Sequence, residues 1–266
     1  MLLSRRLLAS CVANSVLIGG MLSAAAAQGE DFKVSNKIYF PNVETPAVST
    51  TLFQAGRVYD FLEPDGKTME MIVFDKKNDQ IILLDPNRQM RTEITTGQVA
   101  KQIGRLHEAA VDHRNPESIR FLATPVFSEQ VSAKSGVLTL DSKWMRYVVT
   151  TEAPKNPFDA RQYNEFADWL AQTNKILNPQ ANLPFPRLKL NEVLKKRQEI
   201  PVKIAFTMKA EGRRKEYTIR SEHNFQWGLA ANDLRRIEDA GTALHTYNLV
   251  SFEEYHRPPE NDQARK

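Results

Sequence analysis

Between Phe32 and Thr95 the chain is cut into short extended runs by turn chemistry, and this spacing constrains the fold more than any other feature. Candidate strands at 32–40, 49–62, 68–75, 80–85 and 90–95 are separated by Pro41-Asn42, Glu63-Pro64-Asp65-Gly66, Lys76-Lys77-Asn78-Asp79 and Asp85-Pro86-Asn87-Arg88. A parallel crossover takes about a dozen residues or more, so connections this short impose antiparallel neighbours. The expected fold class is α+β: a curved, mostly antiparallel β-sheet, half-barrel-like, covered by several helices.

Alternation says which strand faces are apolar. With 49–62 taken as one strand, Phe53, Ala55, Tyr59 and Phe61 share a face with Arg57. The run Ile81-Ile82-Leu83-Leu84 is apolar on both faces. Most antiparallel strands keep one face wet, so this strand requires cover on both sides. Either it is a central strand beneath helices, or one of its faces lines an apolar cavity.

The rest of the chain alternates between helical and extended patterns. Val99, Ile103, Leu106 and Ala110 recur at helical spacing and predict a helix over 96–113. A short mixed segment at 119–122 follows Pro116, and strands are expected at 126–131, 136–140 and 144–151. The strongest helix pattern spans 158–177, with Asp159 as N-cap, Gln162 at capping-box spacing, and Phe158 and Tyr163 as a hydrophobic staple. Its buried stripe is Tyr163, Phe166, Ala167, Leu170 and Leu177. Trp169 lies beside the stripe and packs on it or on a ligand. Prolines stiffen 178–187. A short helix at 190–198 ends on Lys195-Lys196-Arg197, a solvated basic face suited to a helix C-terminus. Val202, Ile204, Phe206 and Met208 alternate with polar neighbours and open a hairpin whose return strand carries Tyr217 and Ile219 towards Trp227. A helix over 232–240 with Gly241 at C′, a final strand at 244–252 and a disordered tail from Pro258 complete the reading. Residues 28–257 are expected to form a single domain.

Arg5 and Arg6, an apolar run to Ala24 and the small residues Ala25-Ala26-Ala27 read as a cleaved signal peptide over 1–27, so the mature protein is expected in the periplasm or outside the cell. The paired arginines leave general secretory and twin-arginine export both open. Leu8-Ala9-Ser10-Cys11 has a lipobox-like order, but the apolar run follows the cysteine instead of preceding it. Cys11 is the only cysteine of the chain, so the mature protein has no thiol for a disulfide, thiolate catalysis or a thiolate metal site. With 36 Lys and Arg against 32 Asp and Glu, two of the cations leaving with the leader, the charge balance gives no reason to expect nucleic acid as a partner.

The search for chemistry yields mainly exclusions. No G-x-G-x-x-G, P-loop, G-x-S-x-G or H-E-x-x-H arrangement occurs, which disfavours nucleotide cofactors, nucleophile-elbow hydrolases and zincins. His107 and His113 are six residues apart, about 120° around a helix, so they do not converge on one ion. Asp75 and Asp85 end neighbouring candidate strands; they are either an acid–base pair or backbone caps. Arg57 either stacks on an aromatic ring, holds a ligand anion, or snorkels at the sheet edge. His223, His245 and His256 are scattered. No catalytic residue, metal site or cofactor is assigned.

The leader, then Thr50-Thr51-Leu52-Phe53-Gln54-Ala55-Gly56-Arg57-Val58-Tyr59-Asp60-Phe61, Met71-Ile72-Val73-Phe74-Asp75 and Ile81-Ile82-Leu83-Leu84-Asp85-Pro86, resemble the periplasmic lipoprotein-carrier (LolA/LolB-like) superfamily over about residues 32–95. The resemblance implies a curved half-barrel closed by helices, with an apolar cavity for acyl chains. It implies an exported, non-catalytic binder or carrier of a lipidic or other apolar ligand, an acylated protein included, with transient membrane contact. The candidate ligand residues are Phe53, Arg57, Tyr59, Phe61, Met71, Val73, Ile82 and Leu84 on strands 49–62, 68–75 and 80–85, covered by the 96–113 and 159–177 helices, and Trp169 on the latter helix. The alternatives are a periplasmic hydrolase with an acid–base site not visible in the sequence, and a structural envelope protein whose interior is filled by its own side chains. Oligomeric state stays open.

Overall fold

The computed structural model describes residues 31–63, 66–210, 212 and 215–257; the expected leader and tail lie outside them. The described residues form a mixed α+β fold around one curved, open sheet of twelve strands. In chain order these are β1 (Phe32–Tyr39), β2 (Ala47–Gln54), β3 (Arg57–Leu62), β4 (Glu70–Asp75), β5 (Gln80–Asp85), β6 (Met90–Thr95), β7 (Ser128–Val131), β8 (Leu138–Asp141), β9 (Met145–Glu152), β10 (Ile200–Met208), β11 (Tyr217–Trp227) and β12 (Asn248–Leu249). Their spatial order is β12-β6-β5-β4-β3-β2-β1-β11-β10-β9-β8-β7. Two antiparallel meanders thus meet where β1 pairs with β11, and only the two-residue β12 runs parallel to its neighbour. Among the described residues six α-helices accompany the sheet: α1 (Thr96–Ala110), α2 (Glu117–Ala123), α3 (Pro157–Leu177), α4 (Phe185–Arg197), α5 (Ala231–Thr246) and α6 (Phe252–His256). Among the described residues no helix is long and apolar enough to cross a membrane.

The expected strand 49–62 is a hairpin instead. Ala55 and Gly56 both take positive φ, 46° and 80°, and form the two-residue turn between β2 and β3. Such turns match the right-handed twist of the flanking strands. Phe53 therefore pairs with Val58, and the turn reverses the parity beyond it: Phe53 lies on one face, Arg57, Tyr59 and Phe61 on the other.

The sheet has two differently covered faces. On the front, Phe32, Val34, Phe53, Val58, Ile72, Phe74, Ile81, Leu83 and Ile94 pack against Val99 and Ile103 of α1 and Tyr163, Phe166 and Ala167 of α3. The Phe32 and Phe53 rings stack at 4.1 Å, and Phe166 meets Phe53 edge-on at 5.7 Å. The front-face core continues under α2 and α4, where Leu138, Leu140, Met145, Tyr147 and Val149 meet Leu190, Val193 and Leu194. On the back, α5 covers only part of the sheet: Ile237, Ala240 and Ala243 pack on Leu52, Tyr59, Phe61, Met71, Val73, Ile82 and Leu84. The doubly apolar β5 is explained by these two layers, since Ile81 and Leu83 face the front core while Ile82 and Leu84 face α5.

Local chemistry shifts several expected boundaries. The N-cap of α3 is Asn156, whose Oδ1 accepts from the Asp159 backbone N–H at 2.9 Å; Asp159 is inside the first turn. The capped first helix stops at Ala110, and the segment after Pro116 is the short helix α2. Helix α4 starts at Phe185, earlier than expected, because Pro184 and Pro186 fit a helix start where no N–H is needed. Gly241 lies within α5, which runs on to Thr246; the expected strand at 244–252 reduces to β12 and α6.

Candidate functional site

An open-sided cavity lies between the front face and α3. It measures about 420 Å³. One wall is the stripe Tyr163, Phe166, Ala167, Leu170, Ala171 and Asn174, which recurs at helical spacing along α3. The opposite wall comes from β1, β2, β9, β10 and β11, with Ile38, Tyr147, Ile204, Phe206 and Ile219 as its apolar part. The space exists because small side chains face one another: Ala167 and Ala171 on the helix oppose Ser49, Thr51 and Ser221 on the sheet. Arg187 and Asn182 close the end nearest α4. A smaller recess of about 150 Å³ shares Ile38, Ser49, Leu170 and Asn174 with the cavity and extends to Asp60 and Glu70.

The sheet wall carries a polar chain set into apolar strands. Asn36 on β1 lies between His223 of β11 and Ser49 of β2 in the register. Asn36 Nδ2 donates to Ser49 Oγ at 3.1 Å and to Thr51 Oγ1 at 3.2 Å. Thr51 Oγ1 in turn donates to Asp60 Oδ1 at 2.6 Å. With its NH₂ engaged, Asn36 presents Oδ1 as an acceptor to His223 Nδ1 at 2.8 Å, which places the ring proton on Nδ1. Nε2 is then free to accept from the Ser221 hydroxyl at 3.0 Å. Hydrogen bonds thus run in one direction from Ser221 through His223, Asn36 and Thr51 to Asp60.

Burial shifts the titration of two groups of this chain in opposite directions. Burial and the nearby positive charge of Arg187 push His223 down to about 3, so the imidazole is neutral at physiological pH. Burial raises Asp60 to about 6 against the opposing Thr51 hydrogen bond, and the Glu70 and Glu63 charges push in the same direction as burial. Burial also raises the Tyr163 phenol, an effect opposed by Arg187.

Arg187 is the cation of the cavity. It sits in the first turn of α4, where Nε donates to Asn191 Oδ1 at 3.0 Å. Asn191 Nδ2 donates onward to Asp168 Oδ1 at 2.8 Å, and the other Asp168 oxygen accepts from Lys195. The carboxylate of this network is matched by Lys195, and Arg187 is left with a neutral partner. The first turn of α4 has no acidic residue and no side-chain cap, so nothing there offsets its positive dipole end.

The residues expected to contact ligand are divided among three places. Tyr59, Phe61, Met71, Val73, Ile82 and Leu84 are buried on the back face beneath α5. Phe53 is packed in the front core, and Trp169 leans on Phe74 at 6.1 Å beside a small crevice. Arg57 lies at the hairpin end, 45% exposed, and pairs with Asp75 at 2.6 Å. None of them lines the 420 Å³ space. Asp75 and Asp85 sit at opposite ends of β5's ladder, and each caps a turn: Asp75 accepts from Asn78, Asp85 from the Asn87 and Arg88 backbones. His107 packs edge-on to Phe185 at 5.0 Å, and His113 is exposed beyond α1. Among the described residues no three His, Cys, Asp or Glu side chains cluster as metal ligands.

Sequence reasoning missed Asn36, Ser49, Thr51, Arg187, Ser221 and His223. Their signal is parity: Asn36 shares the face of Phe32, Val34 and Ile38, and Ser221 and His223 share that of Ile219 and Phe225. Polar residues in an apolar register mark an interior that is not simply packed.

No family model matches the chain, and no curated protein matches it. Among solved structures, PNGF-II is similar over 84% of this chain at 9% identity and a TM-score of 0.31, and this chain spans 31% of its length. The lipoprotein LppX of Mycobacterium tuberculosis is similar over 77% of this chain and 89% of its own, at 11% identity and a TM-score of 0.23.

Proposed function

We propose that this is an exported, non-catalytic binding or carrier protein for a lipidic ligand, held between the front face of the sheet and α3. The observation that carries this reading is the cavity of about 420 Å³, walled by Phe166, Leu170, Ile204, Phe206 and Ile219 with a few convergent polar groups at one side. Ligand sites commonly occupy ~300–1,000 Å³ and combine apolar walls with sparse polar groups. Burial of an alkyl chain there is worth about 25 cal/mol per Å² before the costs of association. Lipid extraction and native mass spectrometry of the protein purified from a periplasmic fraction test the reading. A co-purifying lipid, or saturable binding of a fluorescent fatty acid, is expected. Absence of both leaves the cavity without an occupant and favours a structural envelope role.

A second reading is favoured by one specific geometry. Ser221 Oγ, His223 Nε2 and Nδ1, and Asn36 Oδ1 stand in the order nucleophile, base and orienting group, at 3.0 and 2.8 Å, beside the cavity. This is the arrangement used for acyl transfer from a bound ester. The imidazole, pushed down to about 3, is a weak proton acceptor for that task, which is why binding is preferred here. Labelling by a fluorophosphonate that Ser221→Ala abolishes would reverse the preference.

A further inference from the structure

We propose that the cavity takes a single-chain amphiphile with a compact anionic head, a carboxylate or a phosphate monoester, and that Arg187 is the counter-charge for that head. This rests on the reading of the cavity as a lipid site and adds the class of ligand.

Three observations converge on Arg187. First, it lines both the main cavity and the adjoining opening bordered by Leu183, Pro184 and Pro186, so its guanidinium stands where a head group enters or rests. Second, it lacks a counter-ion. Among the described residues no carboxylate forms an ion pair with it; its side-chain partners, Asn191 and the Tyr163 hydroxyl, are neutral, and Asp168 beyond Asn191 is engaged by Lys195. Third, it stands at the positive end of α4, in a first turn without an acidic residue, where a cation opposes the helix dipole. A cation set against a helix dipole, facing an apolar space and lacking an acid, violates local electrostatic preference, and such violations concentrate where a ligand completes the site.

The geometry also selects the kind of anion. Nε is anchored on Asn191, the Tyr163 hydroxyl meets the same side chain, and Arg187 lines the cavity, so the guanidinium is held from two sides at the cavity wall. A planar fork presented this way suits two oxygens of one head group. His223 is neutral beside it, so the head would meet one positive charge, not two. Asp60 and Glu70 border the far recess, which disfavours an anion there and places the alkyl chain along Leu170 and Ile38, away from Arg187. The apolar walls demand the chain; a small free anion would leave them without contact.

Calorimetric titration of the purified mature protein with dodecanoate, dodecyl phosphate, dodecanol and inorganic phosphate tests this. The expected result is that both anionic amphiphiles bind at least tenfold more tightly than dodecanol, while inorganic phosphate alone shows no binding. Arg187→Gln should weaken dodecanoate and dodecyl phosphate about tenfold and leave dodecanol unchanged, and Arg187→Lys should keep part of the preference for the anions. Unaltered circular dichroism and unfolding midpoint certify the variants as folded. Equal affinity for dodecanol and dodecanoate in the native protein, or an Arg187→Gln variant with undiminished selectivity, overturns the assignment of Arg187 and leaves the lipid site standing. Tight binding of inorganic phosphate alone overturns the amphiphile class. If none of the alkyl ligands binds, the lipid-site reading falls and this assignment with it.

Discussion

Asp60→Asn should make the protein more stable at neutral pH, and the gain should shrink as the solution is acidified. Asp60 is buried on the front face and accepts from Thr51 at 2.6 Å. Burial, with the charges of Glu70 and Glu63 nearby, raises its carboxyl from 3.8 to about 6. That rise corresponds to about 3 kcal/mol of preference for the protonated form in the folded state. The sign follows directly. Below the unfolded value of 3.8 both states carry the proton and the group imposes no penalty. Between 3.8 and about 6 the folded state holds the proton and the unfolded state releases it, so stability falls as pH rises. Above that range the full penalty of a buried carboxylate is present.

Asparagine keeps the shape and an oxygen to accept from Thr51 but removes the charge. Urea unfolding of the native and Asp60→Asn proteins at pH 7.5 and pH 4.0, read by tryptophan fluorescence, measures the effect. With a urea slope of about 1–3 kcal/mol per molar, a gain approaching 3 kcal/mol moves the midpoint at pH 7.5 by about one molar or more. The difference between the two proteins at pH 4.0 should be less than half of that. A variant less stable than the native protein, by an amount independent of pH, would refute the reasoning and show that the Thr51 hydrogen bond outweighs burial of the charge.

Three further outcomes follow from the packing. Leu170→Trp puts a larger side chain into the cavity; it should abolish retention of a fluorescent fatty acid while unfolding remains cooperative, and undiminished binding would move the ligand elsewhere. Leu84→Ala removes a fully buried side chain from the back-face core and should cost about 2–5 kcal/mol in urea unfolding, with ligand affinity of the folded protein unchanged; a matching loss of affinity would place ligand contact under α5. Ala55 holds a φ of 46° in the β2–β3 turn, a region that disfavours alanine by about 1–2 kcal/mol, so Ala55→Asn should raise stability by about 1 kcal/mol; a lower unfolding midpoint would contradict the turn assignment.

The sheet was legible because turn chemistry and short connections leave an antiparallel meander few alternatives. Strand limits from β1 to β6 follow the turn residues closely, apart from the turn at Ala55-Gly56. Alanine at a positive-φ position is not a turn signal in sequence, and that single turn reverses the parity of Arg57, Tyr59 and Phe61. The expected ligand face was therefore assembled from residues on both sides of the sheet. The pairing of β1 with β11 was not legible either, since the two strands are almost two hundred residues apart along the chain (Phe32 opposite Trp227) and no local rule connects them.

That long-range pairing also explains why the polar chain escaped notice. Asn36, Thr51 and His223 are individually unremarkable, and each lies in an amphipathic strand with an expected apolar face. They become one feature only when β11 joins β1 and brings His223 opposite Asn36. Thr51 is buried and Asn36, His223 and Ser221 are half-buried; polar groups withdrawn from water without partners cost free energy, so they pair with one another beneath α3. The same cover leaves Arg187 beside the chain, with His223 already supplied with partners and unable to take its charge. An apolar side chain at any link would have packed the interior more simply. The small polar residues Ser49, Thr51 and Ser221, opposite Ala167 and Ala171, hold α3 over an open volume instead of a closed core. The open volume and a cation without a carboxylate partner among the described residues stand side by side, and the proposed lipid site starts from that juxtaposition.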